Sequence, residues 1–442
     1  MPGGRVSPGK RAESGTAMLN AASVQAVNSA KFSQQFSRPL YDSYCFSNLP
    51  ATVLYLLTGA GRCALPPGTL EGLPTRFDAV MLLFVDGFGW RFFERYAEKY
   101  AFLRTFMQQG IVSKMTSQFP STTAAHVTCI HTGLPVGQSG IYEWNYYEPL
   151  VDEMITPLLF AYAGDNTRDT LKRAALPAEM FFPRQTFYQE LRALGVASYV
   201  FQNAAFTPST PSNVLFRGAT VAPFKRIDDA LQLIARMMAT PRASPTYYFL
   251  YQNAIDTAGH NYGPNSREFE QEVHVFFTAV EQGLADLLKR NSGKTLLLMT
   301  ADHGQMEVDP RSTCYLNQQF PSLIPMLRAN RQGKALVPAG SARDMFLHVK
   351  DERLDEALAL LQRLLKGRAE VYLTRELIAQ GLFGAPPLSA EFLARVGNVV
   401  ILPYRGETVW WYEHGRFDMH FRGHHGGLSP EEMEIPLLAM PL

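Results

Sequence analysis

Three stretches of this sequence are apolar at nearly every position, and each is followed within a few residues by an aspartate. They are Ala79–Val85 before Asp86, Tyr247–Tyr251 before Asp256, and Thr295–Met299 before Asp302. A run that is apolar throughout, rather than at alternate positions, reads as a strand buried on both faces. Ala197–Phe201 is a fourth run of the same kind. Between the strands lie helical patterns: from Ser266 to Arg290, Phe269, Val273, Phe276, Val280, Leu284, Leu287 and Leu288 fall on one helical face. Alternating strands and helices predict an α/β fold about a largely parallel sheet. In such sheets ligands bind beyond the carboxyl ends of the strands. Each aspartate alone is explained by capping the helix after a strand; three of them delivered to one sheet edge are a candidate site.

The histidines strengthen that reading. The chain has ten. Asp256 and His260 stand four apart in D-T-A-G-H, Asp302 and His303 are adjacent in A-D-H-G-Q, and His424 and His425 lie in G-H-H-G-G. Neighbouring glycines let the backbone approach a site closely. Carboxylate and imidazole donors without thiolates suit Zn²⁺, with Mn²⁺ or Fe next. Carboxylates converging on one crevice repel each other unless cations neutralise them.

A fourth segment, F-P-S-T-T-A-A-H from Phe119 to His126, begins a helix. Thr122 and Thr123 then fall in its first turn, where free N–H groups and the helix dipole favour an anion. A hydroxyl there, beside a metal, can ionise and attack phosphorus; the plainer reading is that Ser121 or Thr122 caps the helix.

Composition excludes several classes. Lysine plus arginine number 41 and aspartate plus glutamate 40, a net charge of +1, which argues against a globally basic nucleic-acid binder, and no stable nucleic-acid complex is expected. Cys45, Cys63, Cys129 and Cys314 show no C-x-x-C spacing and read as reduced, buried thiols. No stretch reaches the roughly 20 apolar residues of a membrane span, and no apolar segment follows Arg5, Lys10 and Arg11 to make a secretory signal. A cytoplasmic location is the expectation. Residues 1–38, rich in Gly, Ser, Ala, Asn and Gln, read as a disordered leader. Residues 341–411 read as an inserted α+β unit: strands at Asp344–Val349, Glu370–Leu373, Val399–Leu402 and Thr408–Tyr412, with a helix at Glu352–Leu365.

L-F-V-D-G-F-G, F-P-S-T-T followed by H-T-G-L-P, D-T-A-G-H-N-Y-G-P, A-D-H-G-Q-M and H-G-G-L-S-P-E-E-M occur in that order from about Ala79 to Leu438. Together they resemble the type I phosphodiesterase/nucleotide pyrophosphatase family of the alkaline phosphatase superfamily. The resemblance implies an alkaline-phosphatase-like sandwich, with 39–340 and 412–442 as the catalytic domain and 341–411 as a cap-like insertion. It implies two divalent metal ions, usually zinc: one held by Asp86, Asp302 and His303 with Thr123 beside it, the other by Asp256, His260 and His425. His425 rather than His424 matches the family's H-G pattern. Thr123 aligns with the nucleophile. The implied activity is hydrolysis of a phosphodiester or pyrophosphate bond in a small, nucleotide-like substrate through a covalent threonine intermediate. The alternatives are a phosphomonoesterase or phosphonate hydrolase of the same superfamily, or a non-catalytic metal-binding homologue. A sulfatase is disfavoured, since neither C-x-P-x-R nor S-x-P-x-R occurs.

Two departures stand out. The residue after the nucleophile, often a large one that stacks on a base, is Ala124. The asparagine expected about twenty residues on falls in I-Y-E-W-N, where Asn145 is the candidate substrate contact and Trp144 sits near its usual register. His126, His131, Trp410 and Trp411 read as packing residues. The arginines are scattered and form no phosphate clamp.

Overall fold

The long apolar runs lie at the middle of a single large sheet. The computed structural model describes residues 18–165, 167–290 and 294–442. Its main sheet has strands β1 (Met18–Leu19), β2 (Ala79–Val85), β3 (Ile111–Thr116), β4 (Ala197–Asn203), β5 (Thr220–Phe224), β6 (Thr246–Gln252), β7 (Thr295–Thr300) and β8 (Glu434–Pro441). The spatial order is β1-β3-β8-β7-β2-β6-β4-β5. Only β8 is antiparallel to its neighbours, β3 and β7.

Strands β7, β2 and β6 are adjacent, parallel and buried at every residue. That explains why their sequences do not alternate, and each large side chain so buried contributes about 1.5–3 kcal/mol. Phe84 pairs with Thr300 on one side and Tyr251 on the other, so the three carboxyl ends finish level. The helix Arg267–Arg290 turns Phe269, Val273, Phe276, Val280 and Leu284 into the core, as its periodicity requires. Among the described residues no helix is long and apolar enough to cross a membrane.

A second sheet of four antiparallel strands, in the order Ala339–Ser341, Asp344–Leu347, Val399–Pro403 and Ala369–Leu373, carries the helix Leu354–Leu364 and has its own apolar cluster. It begins at Ala339, two residues before the expected insertion. Trp410 and Trp411 pack in its cluster. The strand expected over Thr408–Tyr412 is shorter, Val409–Trp410, and pairs with Cys314–Tyr315 instead of joining that sheet.

The leader expected over 1–38 requires correction. Residues 1–17 lie outside the described residues, but β1 pairs with β3 and Ala21–Ser29 is a helix capped by Asn20, whose Oδ1 accepts from Ser23 N at 3.1 Å. Val27, Ala30 and Phe36 are buried. A nine-residue helix with so few apolar anchors offers too short a pattern to stand out from its polar surroundings.

Candidate active site

All three aspartates sit where the level strand ends place them. Asp86 follows β2 directly, Asp302 follows β7 after Ala301, and Asp256 lies in the first turn of a helix that starts two residues after β6. The helix carrying Thr123 is α1 (Thr123–Thr132) and that carrying Asp256 is α2 (Ala254–Tyr262). The close approach depends on Gly87: at φ +72° it turns the chain after Asp86, and a Cβ there would stand 3.0 Å from Asp256. On α2, Asp256 and His260 are one turn apart and so share a face.

Two three-residue groups result, Asp86–Asp302–His303 and Asp256–His260–His425, each with donor atoms within 4.8 Å of one another. Thr123 is the first residue of α1, with Thr122 as the extended N-cap residue. Its Oγ1 lies 3.4 Å from Asp86 Oδ1 and 3.1 Å from His303 Nε2. The rings of His303 and His425 stack with centroids 3.6 Å apart, which joins the two groups.

The donor set fits cations. Nδ1 of His260, His303 and His425 donates to the carbonyls of Gly423, Gly304 and Ser121 at 2.8, 2.9 and 3.0 Å. Each Nε2 therefore presents a lone pair. The Nε2 atoms of His260 and His425 face each other at 3.0 Å, an arrangement with no hydrogen to share when both rings are neutral. Asp302 Oδ2 is buried with no hydrogen-bond donor and stands 3.2 Å from His303 Nε2. A cation bound between such pairs removes both conflicts.

Electrostatics point the same way. Burial pushes the Asp86 carboxyl well above the usual range, and Asp302 and Asp256 push it further. Burial raises Asp302 to about 7 and also raises Asp256. Burial holds His303 and His425 well below the ordinary imidazole value, so both are neutral and ready to ligate.

A cavity of about 620 Å³ opens over these groups, and Thr123, Asn145, Asp256, His260 and His425 line it. Thr156 Oγ1 donates to Asn145 Oδ1 at 2.7 Å, which fixes the amide and leaves its NH₂ as the donor. His424 also lines the cavity, but its Nδ1 is engaged with the backbone of His425, and it stands outside both groups. His126 is fully buried, accepting from Gln118 N at 2.9 Å, and His131 packs against Tyr188 and Phe216. Both are packing residues, as their positions on α1 predict.

Sequence reasoning missed the partners behind the carboxylates. Tyr251 Oη donates to Asp86 Oδ2, and Gln305 Nε2 donates to Asp256. Tyr251 belongs to an apolar run, where a tyrosine gives no polar signal; Gln305 closes the A-D-H-G-Q motif and was legible there. Two arginines also reach the cavity wall. Arg416 is engaged with Glu413 at 2.6 Å and the Ala163 carbonyl at 2.7 Å, while the Arg168 guanidinium lies 5.3 Å from the centre of the Phe206 ring.

Several known proteins resemble this chain. Over 275 residues the chain is 25% identical to a venom phosphodiesterase of Crotalus durissus collilineatus, which covers 60% of this chain and 30% of that one. Over 257 residues it is 23% identical to ectonucleotide pyrophosphatase/phosphodiesterase family member 3 of Rattus norvegicus, covering 57% and 28%. The chain thus matches about 30% of the length of such relatives. Among solved structures, an inactive threonine-to-alanine form of murine ectonucleotide pyrophosphatase/phosphodiesterase 5 in complex with AMP superposes with a TM-score of 0.60 at 16% identity, over 82% of this chain and 87% of that one. The human counterpart gives 0.58 at 16% identity, over the same shares. These likenesses establish an alkaline-phosphatase-like α/β fold. The model of the type I phosphodiesterase / nucleotide pyrophosphatase family matches residues 80–428, and the chain belongs to that family.

Proposed function

We propose that this chain is a metal-dependent hydrolase of phosphodiester or pyrophosphate bonds that works through a covalent ester on Thr123. The observation that carries the reading is the hydroxyl of Thr123, set at a helix N-terminus against one of two linked groups of carboxylates and imidazoles. Asp86, Asp302 and His303, with Thr123 beside them, would hold one divalent ion, and Asp256, His260 and His425 a second. Zinc suits this N/O donor set best. Bound there, the ions would offset the charge on the phosphoryl oxygens and favour ionisation of the Thr123 hydroxyl.

The chain's own residues supply the rest. Thr123 Oγ1 donates toward Asp86 Oδ1, so a lone pair remains for attack on phosphorus. The Oγ1–P bond forms as the bond to the leaving oxygen breaks; water then attacks the ester and restores the hydroxyl. The Asn145 NH₂, oriented by Thr156, would donate to a non-bridging phosphoryl oxygen. Tyr251 and Gln305 hold Asp86 and Asp256 in place.

A nucleotide-like substrate is supported by the AMP complex of the murine relative. Ala124 offers no ring, but Trp144, Phe206 and Phe421 line the cavity and give flat groups a surface. Residues 39–340 and 412–442 would be the catalytic unit, and 341–411 a cap-like insertion contributing Ser341 and Trp410 to the cavity wall. The test is turnover of an aryl phosphodiester by protein loaded with zinc. Hydrolysis that disappears on chelation supports the reading; no hydrolysis of any phosphodiester or pyrophosphate with zinc, manganese or iron overturns it.

A further inference from the structure

Behind the nucleophile lies a second pair of carboxyl groups that the reaction does not use. Glu143 and Asp344 are both fully buried. Glu143 comes from the loop after the short helix Val136–Ser139 that follows α1, and Asp344 from the second sheet. The two carboxyls lie within hydrogen-bonding reach of each other. Glu143 Oε1 and Asp344 Oδ2 have no hydrogen-bond donor, whereas Glu143 Oε2 accepts from Trp144 N and Asp344 Oδ1 accepts from Ser341 N at 3.1 Å and from Ser341 Oγ. Ionised carboxylates only accept, so two such groups in contact have no bond to offer each other.

No cation compensates them. Among the described residues neither carboxyl has a lysine or arginine within ion-pair distance. Arg343, beside Asp344 in sequence, is committed to Glu432 through Nε and Nη2, and to the carbonyls of Tyr404 and Glu407 through Nη1. The other titratable groups facing the pair are Tyr142 and Glu432, neither of which is positive. Burial pushes Glu143 up to about 8 and Asp344 well above the carboxylate range.

The pair touches both sides of the site. Thr122, the N-cap residue of α1, makes no side-chain capping bond, and its hydroxyl lies close to Glu143. On the other side, Ser341 Oγ stands between Asp344 Oδ1 and the His425 carbonyl, the latter at 3.0 Å. The fit is tight enough that a Cβ at Gly426 would collide with Ser341 Oγ and Asp344 Oδ1.

We propose that Glu143 and Asp344 share one proton in a carboxylic acid–carboxylate hydrogen bond, and that this pair is a positioning element that, through Ser341, holds the His425 backbone and with it Ser121, two residues before Thr123. The positioning half rests on the proposed hydrolase reading; the shared proton does not. The proton belongs to the pair rather than to one residue. Through it the second sheet is tied to the chain that enters α1.

Amide substitutions test this. In Glu143→Gln the amide oxygen keeps the Trp144 N–H, and its NH₂ donates to Asp344. In Asp344→Asn the oxygen keeps Ser341, and its NH₂ donates to Glu143. Each single change preserves one donor between the groups. The double change sets two NH₂ groups against each other. The prediction is that each single amide keeps kcat within about threefold of the parent, while the double amide loses about tenfold or more in kcat with KM far less affected. Glu143→Ala and Asp344→Ala should each lose more than the matching amide. In melting temperature, the double amide should fall well below the sum of the two singles, a readout that needs no substrate. A double amide as stable as the singles would overturn the shared proton. Single amides as damaging as the alanines would overturn it too. A non-additive melting pattern with unaltered kcat in the double amide would overturn the positioning role alone.

Discussion

The imidazole rings of His303 and His425 stack 3.6 Å apart at 15°, so one residue from each candidate metal-binding group forms a common wall. Ions held by the two groups would therefore be neighbours, the arrangement in which paired metals stabilise both the attacking and the leaving oxygen of a displacement. Elemental analysis should find about two equivalents of a transition metal per chain. His425→Ala should lower the count toward one, and exhaustive chelation should abolish turnover. Full activity after chelation and dialysis would contradict this.

Thr123→Ala should lose at least about a thousandfold in turnover while keeping its fold and metal content, because the proposed reaction uses its hydroxyl as the attacking group. Thr122→Ser keeps a hydroxyl at the N-cap position and should lose little. Thr122→Ala should fall between the two. The comparison is steady-state kinetics with circular dichroism and metal analysis on the same samples. A Thr123→Ala protein with parental turnover would move the nucleophile elsewhere.

The metal-free protein should be destabilised by alkali. A carboxyl whose pKa rises on folding binds more protons folded than unfolded, so its contribution to stability falls as pH rises from about 4 through the folded value. That value is about 7 for Asp302 and about 8 for Glu143. The buried histidines His126, His131, His303, His348, His424 and His425 act in the opposite sense, because they must stay neutral when folded. Their penalty is confined to pH below about 6.5. Above it the raised carboxyls act, joined toward about pH 9 by the thiols of Cys45 and Cys129, which burial also pushes up and which therefore act in the same sense. Melting of the chelated protein should therefore drop between about pH 6.5 and 9, and zinc added at the alkaline end should restore it. A melting temperature that is flat or rising over that range would contradict the raised carboxyls.

Arg343 and Glu432 form a fully buried bidentate pair, with Nε–Oε1 at 3.0 Å and Nη2–Oε2 at 2.8 Å. Arg343→Ala leaves Glu432 buried without its partner and should cost about 3–5 kcal/mol in denaturant unfolding. Arg343→Lys cannot reproduce the fork and should recover only part of that. Removing the exposed Arg311 from its pair with Asp309 should change nothing measurable.

How much of this was legible in the sequence depended on how local each signal was. The strands before Asp86, Asp256 and Asp302 could be read because burial on both faces leaves an unbroken apolar run. The seven positions proposed as ligands and nucleophile lie in short motifs, and the fold brings all of them together with Asn145. What sequence could not show was pairing across the chain. β1 is two residues long and gains its identity only from lying against β3. Glu143 looks like an ordinary loop acid until the second sheet brings Asp344 to it. The helix Ala21–Ser29 is held by Val27 and its Asn20 cap, a pattern too sparse to distinguish from a polar leader.

A diester should be preferred over a monoester. Near neutral pH a monoester is largely a dianion, and no lysine or arginine lies between Lys114 and Arg168 to offset the extra charge beside Thr123. Of the arginines on the cavity wall, Arg416 is already paired and Arg168 lies against Phe206. With a matched pair of aryl esters the diester should have the larger kcat/KM. A monoester preference of tenfold, about 1.4 kcal/mol, would favour the phosphatase reading.

The central claim is a covalent ester on Thr123, and the stereochemical course at phosphorus tests it most directly. An aryl phosphorothioate diester of single configuration would be hydrolysed in heavy-oxygen water by the zinc-loaded protein, and the configuration of the thiophosphate product determined. Two successive in-line displacements, first by Thr123 and then by water, predict net retention. Net inversion would mean that water attacks the diester directly, and would contradict the assignment of Thr123 as nucleophile.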